Sequence, residues 1–98
     1  MKARLLFRRR IVVSPIEFAE LVLWQAPAPV KGSAHSYKYR LAFVVDNRCV
    51  VRYDNEAGKG DHRHYGEREQ TYSFADVERL QADFMDDIRR WRDENGGA

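Results

Sequence analysis

Apolar and polar residues alternate with period two through the first half of the chain and change to three- and four-residue spacing near its end. Period two sends successive side chains to opposite faces of a strand, whereas the longer spacing lines one side of a helix. In segment 4–13, RLLFRRRIVV, Leu5, Phe7, Ile11 and Val13 share a face that Arg9 interrupts, while Arg4, Arg8 and Arg10 point the other way. Arg9 is therefore a candidate bulge. Segment 17–24, EFAELVLW, puts Ala19, Leu21 and Leu23 on one face and Phe18, Val22 and Trp24 on the other, so its facing stays open. The run QAPAPVKGSAHS, with Pro27, Pro29 and Gly32, then reads as a loop in which neither helix nor ladder continues easily.

Segment 37–45, YKYRLAFVV, is the clearest strand, with Tyr37, Tyr39, Leu41, Phe43 and Val45 inward and Lys38 and Arg40 outward. The facing of the next strand, 49–54, depends on its turn. A two-residue turn pairs Val45 with Arg48 and brings Arg52 beside Leu41 on the core side, where a charge is costly. A three-residue turn, Asp46-Asn47-Arg48, pairs Val45 with Cys49, Phe43 with Val51 and Leu41 with Tyr53, and is the expected one. From Ser73, a candidate N-cap, Phe74, Val77, Leu80, Phe84, Ile88 and Trp91 recur at helical spacing, with Asp76 at the third position. The glycines of ENGGA stop that helix and leave a frayed tail. The expected fold is α+β: a single domain, 1–98, with a four-stranded antiparallel meander and a C-terminal helix, 74–93, on one face.

Composition agrees with a packed chain, since 44% hydrophobic and 12% aromatic residues exceed what a disordered chain carries. Cys49 has no second cysteine to pair with and lies in an apolar run, which suggests a core thiol in a reducing compartment. The N-terminal arginines break up any signal-peptide core, and no run reaches membrane-spanning length. These features point to a soluble, cytoplasmic protein.

The net charge is only +2, but it is unevenly spread. Arginines crowd the first strand and acids the last helix. One helix covers one face of a sheet, and the alternation leaves Arg8, Arg10, Lys38, Arg40 and Arg52 on the other. Such a face, with Trp24 close by, suits a single RNA strand. It equally suits a solvated antiparallel face. A homodimer through Phe18, Val22 and Trp24 is a third use.

The stretch RYDNEAGKGDHRHYGERE concentrates chemistry. After the strand end at Asp54 and Asn55, EAGKG makes a flexible turn, and DHRHYG, if extended, projects His62 and His64 to one side and Arg63 to the other. Three readings fit: acid-base cleavage of a phosphodiester by two imidazoles with an arginine at phosphorus, a metal site using His-x-His with Asp54, Asp61 or His35, and a polar loop. AGKG lacks the spacing and the hydroxyl residue of a phosphate-binding loop.

The run YKYRLAFVVDNRCVVRYDNEAGKGDHRHYGEREQTYSFADVERLQADFMDDI, with WQAPAPVKGSAHSYKY overlapping its start, resembles the TumE-type toxins of prokaryotic toxin-antitoxin operons. Its most specific parts are RYDN at Arg52–Asn55 and KGDHRH at Lys59–His64. The resemblance implies a short strand-rich domain closed by a helix, a toxin that arrests growth, and a helix-turn-helix antitoxin encoded nearby. Arg52, Tyr53, Asp54, Asn55, Lys59, Asp61, His62, Arg63 and His64 match the signature. The expected activity is a metal-independent endoribonuclease without cofactor, with His62 and His64 as acid and base, Arg63 or Arg52 on phosphate, and Asp54 orienting one of them. The alternative is a non-enzymatic module that occupies a partner or serves as co-repressor with its antitoxin.

Overall fold

The computed structural model describes residues 2–56 and 58–96. The alternating segments pair as one antiparallel sheet of β1 (Arg4–Ser14), β2 (Glu17–Gln25), β3 (Tyr37–Val45), β4 (Arg48–Asp54), β5 (His62–Tyr65) and β6 (Arg68–Thr71), ordered as in the chain. The helix α1 (Val77–Glu94) lies across one face. The meander and its C-terminal helix match expectation, but the sheet has six strands where four were expected. The two additional strands, HRHY and REQT, carry no apolar alternation because none of their residues is fully buried. A tight turn at Gly66 and Glu67, with Gly66 at φ 60°, joins them.

The β3–β4 turn also differs from expectation. It has two residues, Asp46 and Asn47, both at positive φ (49° and 66°), as a mirror-image hairpin turn requires. Val45 therefore faces Arg48 and Val44 faces Cys49. A bulge at Val50 then shifts the register by one residue, so Phe43 still faces Val51 and Leu41 still faces Tyr53. The freed Val50 carbonyl accepts from Gly66 N–H at 2.8 Å. Arg52 thus sits opposite Ala42 on the open face, which removes the objection to a short turn. Cys49 is exposed, not in the core, because it shares the open side with Val44. Arg9 is not a bulge: the irregularities of β1 fall at Leu6 and Val13, and Arg9 pairs in register with Leu21 at an exposed sheet edge.

The core lies between sheet and helix. Ala19, Leu21, Leu23, Tyr39, Leu41, Phe43, Val51 and Tyr53 meet Leu80, Phe84 and Ile88, which settles the facing of β2 and leaves Phe18, Val22 and Trp24 on the open side. Each of the three helix residues contributes roughly 1.5–3 kcal/mol by burial. The cap is Asp76, whose carboxylate accepts from Arg79 N–H at 2.7 Å; Ser73 and Phe74 stay outside the helix. Phe74 instead stacks on the His35 ring at 3.8 Å. Gly97 and Ala98, in the tail expected to fray, lie outside the described residues, as does Ala57 in the EAGKG turn. Among the described residues no helix is long and apolar enough to cross a membrane.

Phenol-to-carboxylate hydrogen bonds tie α1 to the sheet: Tyr53 to Asp87 and Tyr72 to Asp83, each at 2.6 Å, and Tyr65 to Glu94. Burial first, then the carboxylate partner, raises the pKa of Tyr53, Tyr72 and Tyr39, and pushes Tyr65 up to about 12. A raised folded-state value means stability is intact below the unfolded tyrosine pKa of about 10 and is lost as pH rises through the folded values. Urea midpoints should therefore fall steadily above pH 10, with tyrosinate absorbance appearing together with loss of helical signal. Ionisation of these tyrosines in a still-native protein would contradict this account.

Candidate active site on the open sheet face

Pleating sorts the signature residues by alternate positions. Across β4 and β5, Arg52 faces His64, Asp54 faces His62, and Tyr53 faces Arg63. Directly opposed residues share a face, so Arg52, Asp54, His62 and His64 stand together on the open side. β6 adds Glu69 opposite His64. With Glu56 and Lys59 they line a cleft of about 340 Å³.

The imidazoles are held differently. His62 Nε2 lies 2.6 Å from the Lys59 carbonyl oxygen, which only accepts, so Nε2 carries the proton and the neutral ring keeps its lone pair on Nδ1. That Nδ1 is buried, without a hydrogen-bond partner among the described residues, and 3.8 Å from Glu69 Oε1. Buried polar atoms are nearly always satisfied, which makes this one a candidate for chemistry. His64 Nε2 lies 3.0 Å from an Arg52 amino group and 3.1 Å from Glu69 Oε2. The unprotonated nitrogen accepts from Arg52, and the protonated one donates to Glu69. Arg52 Nε stands 3.2 Å from Asp54 Oδ2, yet has no aligned hydrogen bond among the described residues.

The other half of the signature faces away. Arg63 reaches the helix side, donating to the Tyr53 hydroxyl at 3.2 Å, with Asp87 at 3.7 Å. Buried Asn55 accepts from Tyr39 N–H at 2.9 Å and donates to the Tyr37 carbonyl at 2.7 Å. Asp61 accepts from Ser33 Oγ at 2.5 Å, His35 Nε2 at 2.7 Å and Tyr39 OH at 2.6 Å. His35 Nδ1 accepts from Tyr37 N–H at 3.1 Å, so both ring nitrogens serve the fold. At this crossing of two loops a Cβ on Gly60 would stand 2.8 Å from the Gly32 oxygen, which leaves room only for glycine. Lys59 is exposed and paired with Glu56 at 3.3 Å.

His35 and the His62–His64 pair therefore do not converge. Among the described residues no group of three His, Cys, Asp or Glu side chains is placed to hold a metal ion. Arg8, Arg10, Lys38 and Arg40 do lie on the same open face as the cleft, in cross-strand rows such as Arg8–Val22–Arg40–Asp54–His62. Glu69 is the residue that sequence reasoning missed. The signal was the glycine at 66 between two four-residue runs, a hairpin that sets Glu69 against His64.

No curated protein and no solved structure matches the chain. A family model described as Toxin TumE matches residues 3–92, spanning all six strands and α1 as far as Arg92, and the chain belongs to that toxin family.

Proposed function

We propose that this toxin arrests growth by cleaving RNA, as a metal-independent endoribonuclease held in check by a helix-turn-helix antitoxin encoded nearby. Family membership supports the toxin role and an antitoxin partner. The observation that carries the chemistry is the pair His62 and His64, side by side on one face with Glu69 behind both and Arg52 in contact. A ribose 2'-hydroxyl gives its proton to the His62 imidazole as its oxygen attacks phosphorus. The 5'-oxygen departs with the proton of the His64 imidazolium, leaving a 2',3'-cyclic phosphate and a free 5'-hydroxyl. Glu69 stabilises whichever ring is charged, as the carboxylate partner of a catalytic histidine does. Arg52, released from His64 when that ring is protonated, neutralises charge at phosphorus, and Asp54 positions it. Arg63 has no part, since it faces the helix. RNA as target places the action in the cytoplasm.

The test is purified protein incubated with RNA in excess chelator, with product ends analysed. Fragments ending in cyclic phosphate support the reading. RNA that stays intact under these conditions, from a preparation that arrests growth when expressed, removes it in favour of a module that acts by binding.

A further inference from the structure

The open face carries a surplus of positive charge that the cleft does not absorb. Its carboxylates already have partners: Glu20 has Arg10 at 2.7 Å, Asp54 has Arg52 at 3.2 Å, Glu56 has Lys59 at 3.3 Å, and Glu69 lies against His64 at 3.1 Å. Arg8, Lys38 and Arg40 line the same groove and have no ion-pair partner among the described residues. The groove, of about 680 Å³, also takes in Phe18, Val22 and Trp24, and shares Arg52, Asp54 and Glu56 with the histidine cleft, so the two are continuous. Arg8 and Arg40 flank Val22 in one cross-strand row, about 10 Å apart at two strand spacings. Trp24 pairs with Lys38 on that face, three strand spacings and two residue steps from His62, a diagonal of roughly 16 Å.

Three cations without ion-pair partners among the described residues, beside a partly buried indole, fit a polyanion that offers flat rings. We propose that the groove is the track for a single RNA strand leading into the cleft, with Arg8, Lys38 and Arg40 on phosphates and Trp24 stacking one base a few nucleotides from the scissile bond. The inference rests on the ribonuclease reading only for where the strand leads. A duplex hides its base faces and offers Trp24 nothing to stack on, whereas single strands present them. An acidic protein segment would use the cations and leave the indole idle.

The experiment is fluorescence anisotropy of a labelled twelve-nucleotide RNA with the His62→Ala/His64→Ala protein, so that binding is read without cleavage. Three phosphate contacts on a single strand predict a log–log salt slope of about −2, falling by about 0.7 in Arg40→Ala. Loss of one base stack predicts about ten-fold weaker binding in Trp24→Ala, largely restored in Trp24→Phe, which keeps an aromatic face. A duplex of the same sequence should bind more weakly than the single strand. Equal binding of duplex, no binding of either RNA, or equal affinity with and without Trp24→Ala in that double-alanine protein overturns the proposal. So does Arg40→Ala weakening with Trp24→Ala unchanged, the pattern of an acidic partner. Single-strand binding that follows these predictions while wild-type protein leaves RNA intact would remove the ribonuclease reading alone. Cleavage indifferent to Trp24 and Arg40 would remove this one alone.

Discussion

His62→Ala/His64→Ala is expected to abolish growth arrest and RNA cleavage while leaving soluble protein at the wild-type level. Each histidine acting as general acid or base is worth roughly 10²–10⁴ in rate, and the two together cost less than the product because they act as one unit. Folding should tolerate the change. Both side chains are about one-quarter exposed and none of their partners belongs to the core, so the stability cost should stay near 0.5 kcal/mol. The measurement is growth after induced expression without an antitoxin, at matched soluble levels, with total RNA from the same cultures. Arrest that persists in the double variant would reduce the histidines to surface residues and move the toxic function to a binding surface.

Asp61→Ala should have the opposite character: a large loss of stability, with toxicity lost because the protein does not accumulate. Its carboxylate collects three donors from Ser33, His35 and Tyr39, and removal leaves all three facing an apolar methyl group. Breaking a buried charged network costs about 3–5 kcal/mol. That is a large part of the 5–15 kcal/mol available to a domain of ordinary stability. Urea unfolding of the purified variant checks it. A stable Asp61→Ala protein that no longer arrests growth would return Asp61 to the site.

The strands and helix were readable where one face is dry and the other wet. Tyr39, Leu41 and Phe43 alternate with Lys38 and Arg40 because one side of β3 meets α1 and the other meets solvent. β5 and β6 gave no such contrast, since their side chains range from intermediate to exposed. The β3–β4 turn was misread for a related reason: core pairing of Phe43 with Val51 was right, but a bulge, invisible to a strict period of two, let a shorter turn reach the same pairing. At the site, the co-facing of His62 and His64 followed from spacing alone. That Arg63 turns away followed from the same spacing, but the role of Glu69 depends on which strand flanks β5 and the His62 tautomer on the Lys59 carbonyl in the loop before it, and pattern does not encode neighbours.

The interleaving of the signature has a genetic consequence. In RYDN and DHRH, positions 53, 55, 61 and 63 hold the fold together, while 52, 54, 62 and 64 face the cleft. Cells that survive a selection against this toxin should therefore carry lesions of two kinds within one short stretch of codons. Odd-numbered lesions should leave little protein to detect, and even-numbered ones should leave abundant, inert protein.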